Sequence, residues 1–163
     1  MNGPAGPIPA SSSTDVIGEQ QPAVQRPRVL LVDDDIRNIF SLTSVLESYD
    51  VEVHHAERGK DGIRILEEHL GIDIALIDIM MPEMDGYETM QQIRKSPDIA
   101  DVPLIAVTAK AMKGDRQKCL DAGASDYIAK PVDIELLLAL MRVWVGRSRE
   151  AALSAPSIVQ AAE

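Results

Sequence analysis

The chain has 163 residues, a one-domain length, and its hydrophobic residues (45%, with only 3% aromatic) imply a core of Val, Ile, Leu, Ala and Met. A formal net charge of −10 speaks against binding the phosphate backbone of a nucleic acid, and fits either plain solubility or a role in holding cations. One cysteine, Cys119, excludes an intrachain disulfide and a cysteine-based metal site, and no apolar run reaches the roughly 18 residues of a membrane span.

Residues 1–27 are rich in Pro, Gly, Ser, Ala and Gln, with few charges and no apolar periodicity, and read as a disordered tail or linker. They lack the basic and apolar regions of a secretory signal, so a soluble, cytoplasmic protein is expected. Arg28 to Val32 is a short apolar run that suits a buried parallel strand. Ile36 to Ser48 has apolar residues at helical spacing. Val51 to Ala56 is a weaker strand. Gly59 to Leu70 reads as a helix with Ile63, Leu66 and Leu70 on one face. Ile74 to Ile77 is a third strand and Tyr87 to Lys95 a third helix. Leu104 to Val107 follows Pro103 as a strand. Lys113 to Asp121 is a helix stopped at Gly123, a residue suited to a left-handed cap. Ser125 to Ile128 is a short strand, and Asp133 can cap a final helix with apolar residues through Trp144. Residues 148–163, rich in Ala and Ser with a Pro at 156, read as a tail with room for a short helix and none for an output domain.

Strict alternation of five strands and five helices predicts an α/β fold: a doubly wound parallel sheet covered on both faces, the domain spanning 28–147. In such sheets the functional crevice lies at the carboxyl ends of the strands. There the apolar strands give way to polar residues: Asp33, Asp34 and Asp35 after the first, Asp78 after the third, Thr108 after the fourth, Lys130 beyond the fifth. Crowded carboxylates raise one another's pKa unless a cation neutralises them. A hard ion with oxygen ligands, Mg²⁺, does this well. Asp34 and Asp78 are natural direct ligands, with Asp33 holding a coordinated water. Lys130 offers a point charge to a phosphoryl oxygen, and the Thr108 hydroxyl a hydrogen bond. Asp78 is then a carboxylate nucleophile that attacks phosphorus to give an aspartyl phosphate.

The segments LLVDDDIRN, ALIDIMMPEMDG, PLIAVTA and DYIAKP resemble the signature segments of bacterial response-regulator receiver domains. The resemblance covers about Arg28 to Arg147, and TAKAMKGDRQKCLDAGASDYIAKPVD is most similar to receivers of hybrid sensor histidine kinases. It implies a flavodoxin-like strand order 2-1-3-4-5. It makes Asp78 the phosphoacceptor, Asp33 and Asp34 the acidic pair, Thr108 the switch hydroxyl, Lys130 the invariant lysine and Tyr127 the switch aromatic. It also implies a metal ligand from the Met80 backbone carbonyl and a cis peptide bond between Lys130 and Pro131. The implied partner is a histidine kinase or histidine phosphotransfer protein, with an unidentified protein downstream; the acidic charge and the lack of a long apolar run predict that neither nucleic acid nor membrane is bound. The chain reads as a stand-alone receiver or one excised from a larger protein.

Plainer roles stand beside several of these. Asp35 caps the first helix or faces solvent. Met80 and Met81 are packing residues, or side chains that affect access of hydrolytic water. Lys110 is an exposed lysine or a neighbour of the site. Cys119 reads as packing, His54 and His55 as surface residues, and no histidine sits in a phosphorylatable motif. The rival enzyme reading is a hydrolase of the haloacid dehalogenase type, which needs a second Asp two residues after the nucleophile, where this chain has Met80. A nucleotide binder lacks its Gly-rich loop after strand one. A protein-binding pseudo-receiver does not need the full acidic set. No turnover of an external substrate is expected.

Overall fold

Strand β1 (Arg28–Val32) shows in the computed structural model why its apolar run is unbroken. Val29 and Leu31 enter one core layer, whereas Leu30 and Val32 enter another on the opposite face. A strand alternates its side chains between faces, so both faces must be covered. The same division holds in β3 (Ile74–Asp78), with Ile74 and Leu76 against Ala75 and Ile77, and in β4 (Leu104–Thr108), with Ile105 and Val107 against Leu104 and Ala106. The structure describes residues 3, 25–109 and 112–154, with side chains to 150.

Strands β2 (Glu52–Ala56) and β5 (Asp126–Ala129) form the two edges. All pairings are parallel, in the order β2-β1-β3-β4-β5, which bears out the fold expected. Helices α1 (Ile36–Ser48) and α5 (Ile134–Ser154) supply Leu46, Leu137 and Met141 to the layer of Leu31 and Leu76. Helices α2 (Gly59–Glu68), α3 (Gly86–Lys95) and α4 (Asp115–Asp121) supply Leu66, Met90, Ile93 and Cys119 to the other. Each fully buried Leu or Ile contributes roughly 1.5–3 kcal/mol.

Short polar side chains fix the helix starts. Asp35 accepts from the Arg37 amide at 3.0 Å and Asp85 from the Glu88 amide at 2.9 Å. Asp133 accepts from the Glu135 and Leu136 amides at 3.0 and 3.2 Å. The capping roles expected of Asp35 and Asp133 are therefore realised. Gly123 has φ 111°, the left-handed conformation expected of it.

Two expectations need correction. Helix α2 ends at Glu68 rather than Leu70, because His69 leaves helical geometry (φ −120°, ψ 79°), and Leu70 is 70% exposed instead of joining the inner face. Helix α5 runs to Ser154, past the boundary placed at 147. Its last turns are mostly Arg, Glu, Ala and Leu, good helix formers that outnumber Ser148 and Ser154. Arg149 ties that end to the sheet through Asp73 at 3.3 Å and the Gln25 carbonyl at 3.1 Å. Smaller shifts occur at the start of α4, where Gly114 is left-handed (φ 108°), and in β5, displaced by one residue. Most of the expected amino-terminal tail, residues 155–163 and Lys110 lie outside the described residues. Cys119 is fully buried. His55 is exposed, whereas His54 is half-buried, 3.0 Å from Glu52 and with its ring 5.3 Å from that of His69.

Candidate functional site

Strands β1 and β3 pair with Val32 opposite Ile77, so the residues that follow, Asp33 and Asp78, emerge side by side at the carboxyl edge. One carboxylate oxygen each from Asp33, Asp34 and Asp78 lies within 4.8 Å of the others. Among the described residues this is the one group of three or more Asp, Glu, His or Cys placed to share an ion. Asp78 is 5% exposed, Asp33 half-buried and Asp34 open to solvent. The Lys130 ammonium stands 3.3 Å from Asp78 Oδ2 and 3.4 Å from Asp33 Oδ2. Its strand end is pinned to β4, the Lys130 amide donating to the Thr108 carbonyl at 2.8 Å, and the Lys130–Pro131 bond is cis, as the resemblance implies.

The loop after β3 is shaped around the Asp78 carboxylate. The Met80 amide donates to Asp78 Oδ1 at 3.2 Å. The Ile79 amide extends the ladder to the Val107 carbonyl, and the Gly86 amide returns to the Ile79 carbonyl, both at 3.0 Å. A side chain on Gly86 would put its Cβ 2.7 Å from the Ile79 Cα and against the Asp78 carbonyl, so the loop closes this tightly only with glycine there.

Burial pushes the Asp78 carboxyl above its ordinary pKa, and the Asp33 carboxylate adds to the rise; Lys130 and the Met80 amide oppose it. Burial works against the Lys130 ammonium, yet the Asp78 and Asp33 carboxylates more than offset this and its pKa is raised. With all groups ionised the corner carries three carboxylates against one ammonium, an excess of two negative charges. The available donors are all hard oxygens, with no imidazole or thiolate among them. That donor set fits Mg²⁺ and suits softer transition metals poorly.

The other expected residues fall as follows. Thr108 ends β4, is 2% exposed, and sits one strand over from Asp78. Tyr127 is half-buried on β5 against the layer of Leu66 and Met90. Met80 is 57% exposed beside the site, whereas Met81 is buried in the core. Asp35 is drawn away from the corner, binding Arg37 at 3.0 Å. Sequence reasoning missed Asn38, whose amide nitrogen donates to Asp33 Oδ2 at 3.3 Å. Its one signal is position: a turn into a helix that starts directly after the acidic run.

A family model of the response regulator receiver domain matches residues 29–142. The chain is 37% identical over 111 residues to Protein PilH of Pseudomonas aeruginosa, covering 68% of this chain and 91% of PilH. It is 39% identical over 115 residues to the signal transduction histidine-protein kinase BarA of Escherichia coli, covering 69% of this chain and 12% of BarA. Other curated relatives are also longer, the chain spanning 50%, 24% and 15% of three of them. Among solved structures it resembles the receiver domain of sensor histidine kinase PA1611 from Pseudomonas aeruginosa, with magnesium ion coordinated in the active site cleft. That likeness has a TM-score of 0.69 and 34% identity, over 75% of this chain and 99% of that one. With the family match running from the second residue of β1 into the third turn of α5, this chain belongs to the response-regulator receiver domains, the phosphoacceptor modules of two-component and phosphorelay signalling.

Proposed function

We propose that Asp78 is the acceptor, taking its phosphoryl group from a histidine kinase or a histidine phosphotransfer protein. The observation that carries this is the setting of its carboxylate: buried at the end of the central strand, 3.3 Å from an ammonium, beside two further carboxylates. Asp33 is less suited, being held by the Asp35 amide at 2.8 Å, by Asn38 and by Lys130. Asp34 is open to solvent. In the reaction an Asp78 oxygen bonds to phosphorus as the bond from phosphorus to the donor imidazole nitrogen breaks. The electron pair stays on that nitrogen. Lys130 holds the charge gathering on a phosphoryl oxygen, and Thr108 donates its hydroxyl to another.

Asp33, Asp34, Asp78 and the Met80 carbonyl would hold Mg²⁺, which when bound neutralises the crowded carboxylates and draws charge from the phosphoryl oxygens. As Thr108 turns toward the phosphoryl group, Tyr127 turns inward. The face formed by α4, β5 and α5 then changes its partner, or the group moves on to another histidine. Chemistry is confined to the domain's own carboxyl, in keeping with Met80, which has no proton to exchange at the hydrolase acid/base position. We read the receiver as starting at Arg28 and continuing through α5, and the protein as cytoplasmic and without nucleic acid. Among the described residues no helix is long and apolar enough to cross a membrane.

The test is labelling by acetyl phosphate with Mg²⁺, then peptide mapping after borohydride reduction of the acyl phosphate. Label should map to Asp78 and vanish in Asp78→Asn. Undiminished label in that variant, or label mapped to another residue of the native chain, would refute the assignment.

A further inference from the structure

Between α1 and the connection from β5 to α5 lies a cleft of about 640 Å³. Its floor is the sheet face beneath the acceptor, including Leu76 and Val107. Leu76 and Asp78 are two apart in one strand and share a face, so the apolar floor runs directly up to the acceptor carboxylate. Leu42 and Val45 of α1 form one wall. The polar end is made by Asp33, Asp78 and Lys130. This space has the size of small-ligand sites, roughly 300–1,000 Å³, and their composition: apolar walls with a few convergent polar groups.

The charges select the occupant. At the polar end two carboxylates face one ammonium, and the third carboxylate, Asp34, is adjacent. An anionic head would add a further negative charge to a corner that already has an excess. A neutral one would leave that excess uncompensated. We propose that the cleft takes a small amphipathic cation, its apolar body against Leu42, Val45 and Leu76 and its ammonium or amidinium head at Asp33 and Asp78. Such a ligand competes with the divalent ion for the same carboxylates and so blocks phosphorylation. The proposal rests on the reading of this corner as the acceptor site and adds a class of inhibitory ligand to it.

Phenylbutylamine serves as the probe, titrated into the full chain in EDTA and followed by amide NMR. Saturable shifts should appear along α1 from Asn38 to Val45 and at Leu76. Excess Mg²⁺ should weaken binding by about tenfold or more, equivalent to roughly 1.4 kcal/mol. Phenylbutyrate, with the same body and an anionic head, should not bind. Val45→Phe and Ser41→Trp narrow the cleft, the second from an exposed position that does not endanger folding. Both should weaken the amine and leave Mg²⁺ affinity unchanged. Absence of saturable binding overturns the proposal, as does equal binding of the butyrate, indifference to Mg²⁺ or indifference to a folded cleft-filling variant. Labelling of Asp78 by acetyl phosphate without the amine reports separately on the acceptor, so failure of one idea is not mistaken for failure of the other.

Discussion

Replacing Asp78 by asparagine should stabilise the metal-free fold, although it removes an ion pair. Asp78 has an oxygen within 4.8 Å of one on Asp33 and one on Asp34, and at an effective dielectric constant of about 20 each such pair repels by about 3.5 kcal/mol. Lys130, at 3.3 Å, attracts by about 5 kcal/mol on the same scale. Solvent screening of the exposed Asp34 shrinks its share to about 1 kcal/mol, so the charges nearly balance; burial, which penalises the carboxylate and not the amide, then sets the sign, and a gain of roughly 1 kcal/mol is expected. Asparagine keeps an oxygen for the Met80 amide, and Lys130 keeps Asp33 at 3.4 Å. Urea unfolding in EDTA at neutral pH measures the gain, and in excess Mg²⁺ the order should reverse, because the wild type alone retains the full ligand set. The pH dependence has a definite sign. Burial and Asp33 hold the Asp78 pKa above its ordinary value, so folded wild type binds the extra proton between the ordinary and the raised value. The stability this gives is full below the ordinary value and is lost as pH rises through the raised one. Asp78→Asn should lack that fall. A variant less stable than wild type in EDTA would refute the reasoning, since attraction by Lys130 would then outweigh crowding and burial together.

Substitutions at three further positions probe the frame around the site. Arg94 donates to the carbonyls of Ala100 and Val102 at 2.6 Å each and of Gly123 at 2.9 Å, so Arg94→Ala should cost about 3 kcal/mol in urea unfolding. A loss below about 1 kcal/mol would show that water replaces the guanidinium at those carbonyls. Asp85→Ala removes the cap of α3 and should cost about 1 kcal/mol, with Asp85→Asn nearly neutral in the same assay. Leu137→Ala opens a void under α5, where the side chain is fully buried, and should cost about 2–5 kcal/mol by thermal or urea unfolding.

What the sequence made legible was what repeats locally. Apolar strands interrupted by polar residues only at their ends marked Asp33, Asp34, Asp78, Thr108 and Lys130, and the structure gathers all five at one edge of the sheet. Asp35, Asp133 and Gly123 were legible because capping depends on a few neighbouring residues. Leu70 was misjudged because helical spacing continues past the point where the backbone turns away. The end of α5 was misjudged because Ala and Ser resemble a tail, while Arg149 finds Asp73, 76 residues distant, only in the folded chain. Asn38 has only its position after the acidic run to mark it, and the cleft beside it leaves no pattern at all. One is a single amide on a helix, and the other is space left between elements.

The separation of the site residues along the chain and their closeness in space have different causes. The lengths of intervening helices and loops put Asp78 44 residues from Asp34, 30 from Thr108 and 52 from Lys130. Register alone makes them neighbours: Val32 opposite Ile77 sets Asp33 beside Asp78, Asp78 lies opposite Val107, and Thr108 opposite Ala129, one residue short of Lys130. A slip of one residue in β3 would exchange its two faces. Asp78 would then enter the layer of Ala75 and Ile77, away from Lys130 and without the other carboxylates, and Ala75 and Ile77 would replace Ile74 and Leu76 in the opposite layer. The apolar alternation that packs the two layers therefore also enforces the geometry of the acidic corner, and the Asp78 carboxylate stays buried and crowded because a shifted register would turn the apolar face out of the core below it.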